Sequence, residues 1–197
     1  MELAKGHWFH QLPQRDYGQD YFEKYQALDA TDMGAALVKA RIDLVRRHSV
    51  FRPDFGEVTI DIGIGGGRFC EETGCFGYDI NPHAIDWLDA RKKFRNPYDT
   101  AMMYVCCWDS LEHIISPESL INSALSHLFV SVPIFTDVED VINSKHFRPG
   151  EHFHYWTREG IEAFMKRNRF NTVEWNNSET LLGREAILSF AFERDCY

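Results

Sequence analysis

The 197 residues, 44% of them hydrophobic and 14% aromatic, suffice for one substantial core but not for two full domains, so a single domain over 1–197 is expected. The formal charge of −9 argues against a broad phosphate-binding surface and hence against a nucleic-acid partner. No apolar run is long enough to span a bilayer, "MELAKGHWFHQLPQRDY" lacks a signal peptide's apolar core, and the cysteines form no CxxC pair. A cytoplasmic protein without a membrane partner, with Cys70, Cys75, Cys106, Cys107 and Cys196 as thiols, is the expectation.

Residues 1–30 are aromatic and polar without clean periodicity and read as an arm or a cover, with His7 and His10 on it. From Asp32 to His48, Leu37, Val38, Ile42 and Val45 fall on helical spacing, and "RPDFG" ends the pattern. "EVTIDI" is short and β-branched, a buried strand reaching Asp61; "GRFCEET" gives about two helical turns before a second strand, "CFGYDI". Asn81 suits an N-cap and Pro82 the first helical position of the next helix. "TAMMYVCCW", apolar almost throughout, reads as a central strand, and Ser116 and Pro117 open a helix through "ESLINSALSHL" that feeds the strand "LFVSVPI". Thr157 caps "REGIEAFMKRN", and "FNTVEW" and "AILSFAFE" close the chain. The alternation predicts an α/β fold: a Rossmann-like, mostly parallel sheet with helices on both faces and an antiparallel hairpin at its C-terminal edge.

In such a sheet ligands bind beyond the carboxyl ends of the strands, where the strand order reverses. There the sequence reads "DIGIGGGRF", and Asp79 follows Asp61 by 18 positions at the end of the second strand. Glycines let the backbone turn sharply against a ligand, and Asp79 can accept hydrogen bonds from two vicinal ribose hydroxyls. The dinucleotide pattern GxGxxG fails in both registers, ending on Arg68 or Cys70, which disfavours NAD. What fits is DxGxGxG, with Asp61, Gly63, Gly65 and Gly67, and an acid at its head attracts an ammonium group rather than a pyrophosphate.

With these motifs the chain resembles the class I S-adenosylmethionine (SAM)-dependent methyltransferases from about Arg41 onward. "IDIGIGGGRF" resembles their first motif, "GYDINPHAI" the acidic second, and "YDTAMMYVCCWDSLEHI" the fourth strand with its trailing LEH. "EHFHYWTREGIEAFMKRNRFNTVEW" is similar to a stretch of the small-molecule branch, which includes the ubiquinone-biosynthesis O-methyltransferases. The resemblance implies SAM as cofactor, with Asp61, Gly63, Ile64, Gly65 and Gly67 along its methionine part. It further implies Asp79 on the ribose, Ile80 on the adenine, Cys107 and Trp108 near the sulfonium, and Arg41 reaching the carboxylate. Only 20 positions separate Asp79 from Asp99, so the family's third strand is expected to be missing or shortened.

Methyl transfer needs acceptor and methyl held in line, helped by a base when the acceptor carries a proton. His113 follows the fourth strand; His152 and His154, two residues apart, are expected on one side of an extended segment and beside the acceptor. A metal requires further ligands that this segment does not supply, and none is expected. "NPYD", at 96–99, precedes the fourth strand, whereas amino-methylating DNA enzymes carry such a motif after it. The sequence therefore reads as a SAM-dependent methyltransferase of a small-molecule acceptor, with oxygen preferred over nitrogen. Two alternatives stay open: a nucleic-acid or nucleotide modifier of the same fold, and a non-catalytic SAM-binding or scaffold protein.

Overall fold

A computed structural model of the chain describes residues 1–13, 16–50 and 54–195. Two short strands, β1 (Glu2–Ala4) and β2 (His7–Phe9), precede α1 (Gln19–Asp29) and α2 (Asp32–His48). The Thr31 side chain accepts the Gly34 N–H at 3.0 Å and starts α2, which ends on Arg46, Arg47 and His48, cations suited to a helix C-terminus. Residues 55–58 coil into a 3-10 turn, held by the Thr59 hydroxyl on the Phe55 carbonyl at 2.6 Å. The first core strand, β3 (Thr59–Ile62), therefore starts two residues later than the sequence suggests.

After α3 (Arg68–Thr73) and β4 (Phe76–Tyr78), Asn81 caps α4 (Pro82–Ala90) by accepting the His83 N–H at 3.0 Å. Between α4 and β5 (Met102–Trp108) the described residues make one bridge, Phe94 beside Gly77. The Gly77 N–H donates to Lys93 and its carbonyl accepts from Arg95, so this remnant of a third strand satisfies the sheet edge at one point. The expected helix through Leu128 is shorter: α5 (Glu118–Ser123) gives way to β6 (Ala124–Pro133). The Ser123 hydroxyl turns back onto the Leu120 carbonyl, and Ala124–Leu128 pair with β5, a tertiary partner that overrides local helical spacing. A further helix, α6 (Val138–Asn143), is capped by Asp137 and was not anticipated. The chain finishes with β7 (His154–Trp156), α7 (Arg158–Arg167), β8 (Phe170–Asn176), α8 (Ser178–Leu181) and β9 (Ile187–Arg194).

The main sheet has the order β4-β3-β5-β6-β9-β8, parallel from β4 to β6 and antiparallel at β9. β1, β2 and β7 form a second, small sheet, so the start of the chain is tied down rather than a free arm. His7, expected on that arm, is buried at 2% exposure. Strand alternation sorts β5 onto two cores: Val105 and Cys107 pack with Leu120 and Ile161, while Tyr104, Cys106 and Trp108 pack with Val38, Ile42 and Leu88. Helices thus cover both faces, as expected. Leaving β3, the chain first pairs on one side with β4 and later on the other with β5, so the strand order reverses at the carboxyl end of β3.

Candidate active site

At that reversal the chain turns through Gly63, Gly65 and Gly67 at φ +71°, +58° and +92°. A Cβ on Gly63 would stand 2.7 Å from the Ser110 Cβ, so a side chain there meets both backbone strain and a packed neighbour. Gly67 has a different reason to be glycine: a Cβ would lie 2.6 Å from the Trp87 ring. It packs on α4 and is not among the residues that line the cavity, unlike Gly63 and Gly65, with which it was expected to contact the cofactor. α1 lies over this loop, close enough that a Cβ on Gly66 would sit 2.7 Å from the Gln26 backbone nitrogen.

Beneath α1 opens a cavity of about 860 Å³, within the roughly 300–1,000 Å³ of small-molecule sites. Asp61, Gly63, Ile64 and Gly65 form its floor. Asp61 is 2% exposed and its Oδ1 has no partner; burial pushes its carboxyl up to about 8, with Arg41 opposing and Asp29 and Asp79 adding to the rise. Asp79, on the cavity wall, accepts the Asn81 N–H at 2.8 Å, and burial raises its pKa against nearby backbone amides. Next to it Ile80 stays 53% exposed. Tyr17, Tyr21 and Tyr25 face the same space from the α1 side.

Trp108 reaches the cavity, but Cys107 does not: the strand's pleat turns it to the opposite core, fully buried. This corrects its expected place beside the ligand. Arg41 lies 5.4 Å over the Trp108 ring, and its Nε and Nη2 donate to Glu179 at 2.8 and 2.9 Å, with Nη2 also on Asp109 at 2.9 Å. Arg184 donates to the same two carboxylates, and the Ser131 hydroxyl to Glu179 at 2.7 Å. Burial works to raise the Glu179 pKa, yet the two arginines hold it down to about 2. Asp109 sits at φ +54°, a left-handed backbone held in place by this cluster. Glu179→Gln removes one charge from a buried, balanced set and is expected to cost about 3 kcal/mol in urea unfolding; a loss under about 1 kcal/mol would contradict it.

At the other end of the cavity stand Glu112, His113 and His152. The two imidazoles lie 4.6 Å apart, edge to face. Glu112 is 1% exposed with an unpartnered Oε2, and His152 is 4% exposed with an unpartnered Nδ1. Burial lowers His113 to about 4 and His152 to about 2, and it raises the Glu112 carboxyl. His154 does not join them. Its Nδ1 pairs with the His7 Nε2 at 2.9 Å and its ring stacks on Trp156, outside the cavity. The alternation expected of His152 and His154 fails because a turn through Gly150, φ +83°, places His152 before the strand begins.

A family model described as a methyltransferase domain matches residues 8–174. The chain belongs to that methyltransferase family. It is a class I SAM-dependent enzyme, as its fold and glycine loop agree. Among solved structures it is similar to magnesium protoporphyrin IX methyltransferase from Synechocystis PCC 6803 with bound S-adenosylhomocysteine (SAH). The identity is 13% over 90% of this chain and 96% of that one, TM-score 0.63. It is also similar to a possible histamine N-methyltransferase from Thermotoga maritima, 12% identical over 89% of this chain and 97% of that one, TM-score 0.60. A third similar structure is a putative methyltransferase in complex with the Trm112 activator of Haloferax volcanii, with 13% identity, 92% and 99% coverage and TM-score 0.58. No curated protein matches the sequence.

SAM is the cofactor of this class, and the methyltransferase's cavity fits it. An orphaned, buried Asp61 oxygen awaits a cationic donor, Asp79 offers a carboxylate, and Ile80 is an apolar side chain open to the cavity.

Proposed function

We propose that this methyltransferase modifies an oxygen of a small-molecule acceptor held between α1 and the Glu112, His113 and His152 wall. SAM supplies the methyl group already activated as a sulfonium. In this reading Asp61 pairs with the cofactor's ammonium, Asp79 takes its ribose hydroxyls and Ile80 lies on its adenine. Arg41 and Trp108 border the methionine part, although two of the Arg41 nitrogens are already on Glu179 and Asp109. The tyrosines of α1 cover the cavity and exclude water. His113 and His152 meet the acceptor's oxygen.

The observation that carries the reading is the uncharged pair of half-buried His113 and buried His152 at one end of the cavity. Neutral imidazoles accept a hydroxyl proton or a hydroxyl hydrogen bond, whereas a net charge of −9 disfavours a broad phosphate-binding surface. The protein magnesium protoporphyrin IX methyltransferase, by its name, acts on a small molecule, which supports the same acceptor class. Four free, buried cysteines suit the cytoplasmic location, and no helix among the described residues is long and apolar enough to cross a membrane.

The test is incubation with methyl-labelled SAM and, in parallel, pools of phenols and hydroxy acids, amines, and RNA. Label is expected in the first pool, and label in RNA alone would overturn the reading. His113→Gln and His152→Gln are expected to lower turnover by about a hundredfold or more while SAM affinity stays within about threefold. Equal loss of SAM binding would assign both residues to the scaffold.

A further inference from the structure

We infer that Glu112, His113 and His152 form a site for one divalent first-row transition-metal ion. The sequence leads to no metal and sets His152 and His154 beside the acceptor; the fold separates those two and brings together instead a carboxylate and two imidazoles whose ligating atoms lie within 4.8 Å of one another. A tetrahedral ion with bonds of about 2.0–2.1 Å holds its donors roughly 3.4 Å apart, so side-chain rotations of about 1.4 Å or less close the site. The buried carboxylate and imidazole each keep a polar atom without a partner, Oε2 of Glu112 and Nδ1 of His152. Buried polar atoms are rarely left this way, and an ion satisfies both at once.

The Glu151 and His146 backbones lie close enough to the His113 and His152 rings to accept from them. A ring that donates one N–H to a carbonyl presents its other nitrogen as a lone pair, the arrangement that orients histidine ligands. Two nitrogens and one carboxylate oxygen suit zinc, iron, cobalt or manganese better than magnesium or calcium, which prefer oxygen alone. The nearby cations do not neutralise Glu112 directly: Arg184 is on Asp109 and Glu179, and Arg148 lies 3.6 Å from Glu151. Three protein ligands leave a position toward the cavity for an acceptor oxygen. That role, though not the metal site, rests on the methyl-transfer reading, and with an ion present the two imidazoles hold it rather than act as bases.

The test uses the full chain freed of metal with a chelator. Titration with Co²⁺ is expected to give one equivalent of bound ion with visible d–d bands, weakened at least about a hundredfold in Glu112→Gln and in His152→Gln. In the unaltered chain, Zn²⁺ is expected to shift the imidazole ¹⁵N signals of His113 and His152 and to leave those of His7 and His154 unmoved. Absence of a saturable site in the unaltered chain, binding that survives in both variants, or shifts at His7 and His154 instead would overturn the proposal. SAM titrated into the same samples separates the two readings: metal binding without SAM binding sinks methyl transfer and leaves the metal site standing.

Discussion

Asp79→Asn is expected to weaken SAM binding by about a hundredfold while leaving the fold as stable as before or slightly more so. A carboxylate that accepts two ribose hydroxyls contributes about 1.5 kcal/mol or more through each charge-assisted bond, and the sum of about 3 kcal/mol is two orders of magnitude in affinity. In the free protein the same carboxylate is a burden, because burial disfavours its charge and three backbone amides only partly offset that. Asparagine keeps an acceptor for the Asn81 N–H, so the cap geometry of α4 is retained. Calorimetric titration with thermal unfolding checks both halves. Unchanged affinity would place the ribose elsewhere, and a large drop in Tm would make Asp79 structural.

Asp61 predicts a pH dependence of opposite sign for stability and for binding. Its carboxyl is raised from 3.8 to about 8, so the folded chain holds a proton that the unfolded chain has released between those values. The stabilisation is fully present below about pH 4 and is lost as pH rises toward 8, with a slope approaching about 1.4 kcal/mol per pH unit. Pairing with an ammonium requires the carboxylate, so SAM binding at pH 6 to 7.5 releases that proton and the affinity rises by up to about tenfold per unit. Asp61→Asn is expected to flatten both slopes and to weaken binding at pH 7.5 by about tenfold or more. Slopes identical to those of the unaltered chain would show that another group carries the proton.

The features read correctly from sequence are those that local chemistry dictates. The glycine loop needs positive φ at Gly63, Asn81 and Pro82 leave few choices but a helix start, and the apolar run at 102–108 has to be central. Even the trimmed third strand follows from a residue count, since once α4 is placed no further full strand and helix fit before Asp99. The errors arise where a distant partner decides. Residues 124–128 carry helical spacing until β5 is there to pair with them, and His154 joins His152 beside the acceptor only if the turn at Gly150 is overlooked.

Cys107 and Trp108 look alike as the end of an apolar strand, and only the two packed faces tell them apart. Glu179 and Arg184 come from the C-terminal hairpin, 138 residues from Arg41 in the first case, and no sequence pattern announces their meeting. The α1 cover was within reach. Tyr21 and Tyr25 mark one face of α1, with Tyr17 just ahead of it against Tyr21, a signal diluted by the polar residues between them.

The central claim is that the cavity beneath α1 holds SAM through the Asp61 and Asp79 carboxylates. Calorimetric titration of the purified chain with SAM, SAH and NAD tests it most directly. Saturable binding of one equivalent of SAM or SAH, with none for NAD, is the predicted result. Failure to bind either adenosyl ligand, or binding of NAD as tightly as SAM, would contradict it.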